Sequence, residues 1–203
     1  MRIIGLTGSI GMGKSTACEF FRQLGTPVFD ADLAVHILYS GDAVPLIEAA
    51  FPGVTRERKV DRQELAARVL ADLDALRRLE AIVHPLVHGA RADFLADARR
   101  ANCRVVVLDI PLLFETAAQG SVDVVATVSA PETIQADRVL RRPGMTERKF
   151  GEIKSRQLPD AEKRRHSHAV IETGGTLDFV RRQVVDLSRA LMGIEPRRTS
   201  DHA

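Results

Sequence analysis

The chain has 203 residues, 45% of them hydrophobic, and 29 Lys+Arg against 27 Asp+Glu, a formal charge of +2. That is the balance of an ordinary soluble globular protein of one domain with ample apolar core. No apolar run approaches the roughly 18–20 residues of a membrane span, and a single Tyr39 with no Trp leaves little surface for stacking bases, so neither membrane nor nucleic acid is expected as a partner.

The first β-rich run is Arg2 to Thr7, and the N-terminus lacks the apolar core and cleavage site of a signal peptide. A helix is expected from Thr16 to Leu24, with Ala17, Phe20, Phe21 and Leu24 on one stripe and Gly25 as its stop. Cys18 in that helix and Cys103 are too few for a disulfide framework and read as reduced thiols of a cytoplasmic protein. Pro27 to Asp30 is a second strand. No strand is expected between Gly41 and Asn102. There Asp61 and Glu64 have the spacing of a helix cap, and Leu76, Leu79 and Val83 continue at helical spacing. Pro85 is expected to restart a helix at its first turn.

Arg104 to Asp109 is almost wholly apolar, as a strand covered on both faces should be. Val122 to Val128 and Ala169 to Ile171 are the fourth and fifth strands. Pro131 opens a helix and Pro143-Gly144 breaks the segment that follows. A last helix runs from about Leu177, with Val180, Val184, Leu187 and Leu191 on its apolar face, and Gly193 closes it. The polar residues beyond it read as a frayed tail. Short strands alternating with helices argue for a parallel α/β sheet.

Directly after the first strand stands Gly8-Ser9-Ile10-Gly11-Met12-Gly13-Lys14-Ser15, which satisfies G-x-x-x-x-G-K-[ST]. Its glycines let backbone N–H groups approach phosphate oxygens at a helix N-terminus. Lys14 is suited to bridging β- and γ-phosphates and the Ser15 hydroxyl to ligating Mg²⁺. The base-reading N-K-x-D of switch GTPases is absent, and Asp109 is followed by Ile110 rather than the Glu of ATPase motors. A small kinase acting on a second substrate remains. Asp30 and Asp32 fall at the carboxyl end of the second strand, where ligands of open sheets bind. A carboxylate there is placed to orient a hydroxyl or accept its proton. Capping the next helix is the competing reading of Asp32.

Between Arg138 and Arg165 there are ten Lys/Arg and four Asp/Glu, so the rest of the chain sums to about −4. A positive field gathered there suits a phosphate-rich ligand, and a solvated helix face is the alternative. His84 and His88 lie four apart, but Pro85 falls between them and no H-E-x-x-H pattern accompanies them, so zinc is not expected.

The loop, Asp30-Ala31-Asp32, His84-Pro85, the run Asp109-Ile110-Pro111-Leu112-Leu113-Phe114-Glu115, Gln135, Arg138, Arg142, Arg156-Gln157-Leu158-Pro159 and Gly175 together resemble the dephospho-CoA kinase family over about residues 1–190. The resemblance implies ATP-dependent phosphorylation of the ribose 3′-hydroxyl of dephospho-CoA, with ATP and Mg²⁺ required. It implies a three-layer α/β/α fold of the P-loop NTPase type, with a parallel five-stranded sheet, a helical substrate-binding insertion and a helical lid. The expected single domain spans 1–193, with core 1–40, 103–130 and 166–193, CoA-binding insertion about 41–102, lid about 131–165, and a flexible tail 194–203.

On this resemblance Gly8, Ser9, Ile10, Gly11, Met12, Gly13, Lys14, Ser15, Thr16 and Arg138 hold the nucleotide, and Ser15 and Asp109 the metal. Asp32 orients or deprotonates the acceptor, and Arg142, four residues from Arg138 on one helix face, contacts the transferring phosphate. His84, Leu112 and Leu113 join Asp32 on the acceptor side, although the two leucines serve equally as plain core. Two departures stand out: Pro143 where the family commonly has Asp, and Thr173 where it has Asn near the adenine. Another small-molecule or nucleoside monophosphate kinase of the same fold is the nearest alternative, and a nucleotide-dependent switch a more distant one. The oligomeric state is not legible.

Overall fold

The computed structural model describes residues 1–70 and 72–193; the tail expected at 194–203 lies outside them. Strands β1 (Arg2–Thr7), β2 (Val28–Asp30), β5 (Val105–Asp109), β6 (Val124–Ser129) and β7 (Ala169–Glu172) form one sheet in the order β2-β5-β1-β6-β7. The ladders of β1 with β5, β1 with β6 and β6 with β7 are parallel. All five strands expected from sequence are present within two residues of their expected ends. β5 is buried at every position, as its unbroken apolar run requires.

Two compact units make up the chain: Met1–Val28 with the described residues from Ala98, and Phe29–Asp97. The first holds most of the sheet. Helix α1 (Lys14–Gln23) buries Ala17, Cys18 and Phe21, and α9 (Leu177–Gly193) buries Val180, Val184 and Leu191, in one core with Ile4, Leu6, Val107 and Val128. Each large apolar side chain enclosed there contributes about 1.5–3 kcal/mol. Gly25, at φ +74°, ends α1 as its position predicts. Helices α6 (Glu132–Leu140), α7 (Glu147–Ser155) and α8 (Asp160–Arg165) carry the basic segment.

The second unit is mostly helical: α2 (Ala31–Leu38), α3 (Ala43–Ala50), α4 (Arg62–Val69) and most of α5 (Leu73–Arg100). Leu38, Ile47, Phe51, Val54, Leu65 and Val83 share its core, which is why α2 belongs here. Asp61 caps α4 as expected, accepting from the N–H groups of Gln63 and Glu64 at 3.1 Å.

Two expectations need correction. The region without a predicted strand contains a small antiparallel hairpin, β3 (Thr55–Arg56) with β4 (Lys59–Val60). Its two-residue turn is Glu57-Arg58, both at positive φ, a conformation that hairpins normally assign to Asn or Gly. Neither its length nor its turn residues gave a signal. Second, Pro85 does not restart a helix; it lies inside the 28-residue α5. A proline there forfeits one hydrogen bond and crowds the carbonyl four residues back, and the buried Leu79 and Val83 preceding it hold the helix in place. Among the described residues, no single helix is long and apolar enough to cross a membrane.

Candidate active site

Parallel pairing brings the carboxyl ends of β5, β1, β6 and β7 to one edge of the sheet, where open α/β folds bind ligands. The glycine-rich loop leaves β1 at this edge and turns directly into α1. Gly13 caps that helix at φ +88°, and Gly11 sits at φ +79°. Both lie in the left-handed region that side chains disfavour. Space forbids a Cβ as well: at Gly13 it would lie 3.0 Å from Thr173 Oγ1, and at Gly11 3.0 Å from the Gln135 carbonyl. Free amides at a helix N-terminus then face the space above the loop, an anion cradle by geometry and by dipole.

The register of β1 with β5 pairs Leu6 with Asp109, and this sets the Asp109 carboxylate beside the loop. There it forms an ion pair with Lys14. Asp109 is only 7% exposed. Beneath it, burial and then the Asp109 charge push the Cys18 thiol up to about 12, so this cysteine is an inert apolar group at neutral pH. The Ser15 hydroxyl is exposed and has no hydrogen-bond partner among the described residues. Ser15 and Asp109 offer hard oxygen donors of the kind Mg²⁺ takes beside phosphate oxygens. No cluster of three His, Cys, Asp or Glu among the described residues makes a self-sufficient metal site.

The loop is braced from below. The Thr173 hydroxyl donates to the Met12 carbonyl at 2.6 Å, and its N–H to the Ser129 carbonyl at 2.7 Å. Arg138 on α6 donates to the Thr173 carbonyl at 2.7 Å and to its hydroxyl oxygen at 3.2 Å, with the Gly11 carbonyl at 3.5 Å. Gln135, 1% exposed, donates to the Ile10 carbonyl at 2.8 Å, and the Ile10 N–H donates to Gln157 at 3.0 Å. Thr173, the departure from the Asn that the family has in the segment near the adenine, is 2% exposed and hydrogen-bonds the loop. An open pocket of about 690 Å³ adjoins this brace, lined among others by Ser9, Met12, Gln135, Lys154, Gln157 and Asp160.

Asp30 is the cap of α2, accepting from the Leu33 N–H at 3.0 Å, so the capping reading of Asp32 falls away. Asp32 lies in the first turn of that helix, exposed, with no partner among the described residues. His84 and His88 are exposed on α5. Leu113 is fully buried, against Gly5, and packs as core rather than as a wall; Leu112 is 41% exposed. Arg138 and Arg142 do not share one helix: α6 ends at Leu140 and Arg142 lies in the turn before Pro143, whose ring disfavours helical backbone at the residue preceding it. Most cations of the basic segment are paired, including Arg141 with Asp137, Lys154 with Glu132, Lys163 with Glu115 and Arg164 with Glu172. Arg142 and Arg156 have no acidic partner among the described residues. The roles of Gln135, Gln157 and Thr173 in the brace carry no local sequence signal, because their partners are backbone atoms more than 100 residues away.

A five-stranded sheet flanked by helices, with this loop at its carboxyl edge, defines a P-loop fold of the kinase type. The profile of the dephospho-CoA kinase family matches residues 2–178. A relative from Bradyrhizobium diazoefficiens named dephospho-CoA kinase is 52% identical over 198 residues, 98% of this chain and 100% of its own length. One of the same name from Mesorhizobium japonicum is 53% identical over 193 residues, 95% of this chain and 98% of its own. The crystal structure of the Thermus thermophilus protein TT1252 is similar at a TM-score of 0.77 and 32% identity, covering 93% of this chain and 96% of its own. The chain belongs to the dephospho-CoA kinase family.

Proposed function

We propose that the protein transfers the γ-phosphate of ATP to the ribose 3′-hydroxyl of dephospho-CoA, giving coenzyme A and ADP. The observation that carries this is family membership from end to end: relatives of that name cover this chain and their own length almost completely. The phosphate loop supplies the chemistry that the reaction needs. The loop from Gly8 to Thr16 holds the triphosphate through those of its amides that face the ligand, and Lys14 exchanges Asp109 for phosphate oxygens when the nucleotide arrives. Ser15 and Asp109 would hold Mg²⁺, which when bound screens phosphate charge. Asp32 accepts the proton of the 3′-hydroxyl as that oxygen bonds to the γ-phosphorus and the bond to the β–γ bridging oxygen breaks. Its freedom from capping supports the assignment. Arg142, uncompensated on its turn, supplies charge to the transferring group. Arg138 reaches the nucleotide through the loop that it braces. His84 and the exposed Leu112 contact the acceptor, with Leu113 as support behind. In this reading the division of labour follows the expected nucleotide-binding core, helical CoA-binding insertion and lid, and the protein works in the cytoplasm with its thiols reduced.

An ADP-release assay offering dephospho-CoA, AMP, dTMP, uridine and shikimate separately tests the acceptor. Turnover is expected with dephospho-CoA; equal turnover with another acceptor overturns the assignment. Asp32→Asn is expected to lower kcat by about 10²–10⁴ with ATP affinity unchanged, and full turnover in that variant removes the base from Asp32.

A further inference from the structure

The stretch from Asp109 to Glu115 bears on the phosphate loop at two places, directly at Lys14 and indirectly through the turn at Gln157. At its start Asp109 pairs with Lys14. At its end Glu115 accepts the Leu158 N–H at 2.7 Å and pairs with Lys163 Nζ at 2.8 Å. The adjoining residue, Gln157, accepts the Ile10 N–H through its side chain. Lys163 is 0% exposed, and a charge so enclosed is tolerated only beside a counter-charge. Glu115 therefore stays in one place, and with it the Leu158 amide and the turn that presents Gln157. Ile10 is held from both sides, its N–H by Gln157 and its carbonyl by Gln135. The two hydrogen bonds hold the peptide groups on either side of Ile10, and so fix its backbone torsions and the course of the chain into Gly11 and Met12.

We propose that Gln157 is a positioning residue for ATP: anchored by the buried Glu115–Lys163 pair through Leu158, it orients the Ser9–Ile10 peptide group so that the first half of the phosphate loop is pre-formed for the triphosphate. This rests on the ATP-binding reading above. A loop ordered in advance loses less conformational freedom when the ligand binds, so the anchor acts on nucleotide affinity rather than on the acceptor.

The test is a double-mutant cycle on the full chain, read by ATP titration calorimetry and by steady-state kinetics. One arm is Gln157→Ala. The other replaces the pair together, Glu115→Met with Lys163→Met, so that no unpaired charge is left inside and folding is retained. Gln157→Ala is expected to raise KM for ATP about tenfold while KM for dephospho-CoA stays within about twofold. The pair replacement is expected to weaken ATP similarly, and the combined variant no further than either arm. An unchanged KM for ATP in Gln157→Ala, equal rises for both substrates, or additive losses in the combined variant overturn the proposal. A wild-type protein that takes up no ATP overturns the functional reading and this inference with it.

Discussion

At the scale of single residues, the site depends on small differences of position. Asp30 and Asp32 are two apart and chemically identical, yet one is tied to the Leu33 amide and the other is left exposed. Thr173 shows the same dependence on context. Its hydroxyl donates to the Met12 carbonyl, and its β-carbon lies 3.1 Å from where a Cβ on Gly13 would stand. Thr173→Val keeps that volume and removes the donor, leaving a buried carbonyl without its partner. The expected loss is about 1–2 kcal/mol of stability by urea unfolding, together with a several-fold rise in KM for ATP. A variant equal to wild type in both measurements would show that the Arg138 and Gln135 contacts suffice to hold the loop.

At the scale of elements, local signals were legible where side chains interact with their own neighbours. The Asp61 cap, the Gly25 stop and the apolar stripe of α9 all rest on residues within four positions of one another. Signals failed where packing overrode them. Proline in a helix interior costs about 3 kcal/mol against alanine, of which up to about 1 kcal/mol is returned by its stiffening of the unfolded chain. Pro85 nevertheless sits within α5. Pro85→Ala restores the missing amide donor, and a gain of about 2 kcal/mol in urea unfolding is expected. A loss of stability would mean that the neighbouring turns are shaped around the ring. The hairpin of β3 and β4 carries no sequence signal for the opposite reason: two paired residues per strand are too short for a period to register.

At the scale of the whole molecule, the Glu115–Lys163 pair joins segments 48 positions apart and gives unfolding a defined acid limb. Burial alone raises the Glu115 carboxyl, but Lys163 and the Leu158 N–H outweigh it and hold the group below its usual value of 4.5. A carboxyl depressed by folding stabilises the native state above its unfolded pKa, and that contribution disappears as pH falls through the folded value. The wild type is therefore expected to lose urea resistance below about pH 4.5 more steeply than the variant with Met at both positions. Parallel slopes for the two proteins would show that the pair does not govern acid unfolding. The excess of positive charge between Arg138 and Arg165 likewise resolves only in three dimensions, since most of it is paired with acids outside that stretch, at Asp137, Glu132, Glu115 and Glu172.

What the sequence determined by itself was the sheet, the phosphate loop and the family, because strand hydrophobicity, glycine spacing and the run from Asp109 to Glu115 are properties of contiguous residues. Tertiary structure alone decided which acid caps α2, that Leu113 is core, that Arg142 lies beyond its helix, and that Gln135, Gln157 and Thr173 brace the loop. The brace joins side chains to backbone groups far along the chain, and any residue can offer a carbonyl or an amide. No pattern of side chains marks such partners; only the parallel packing of β1, β6 and β7 with α6 brings them within hydrogen-bonding distance.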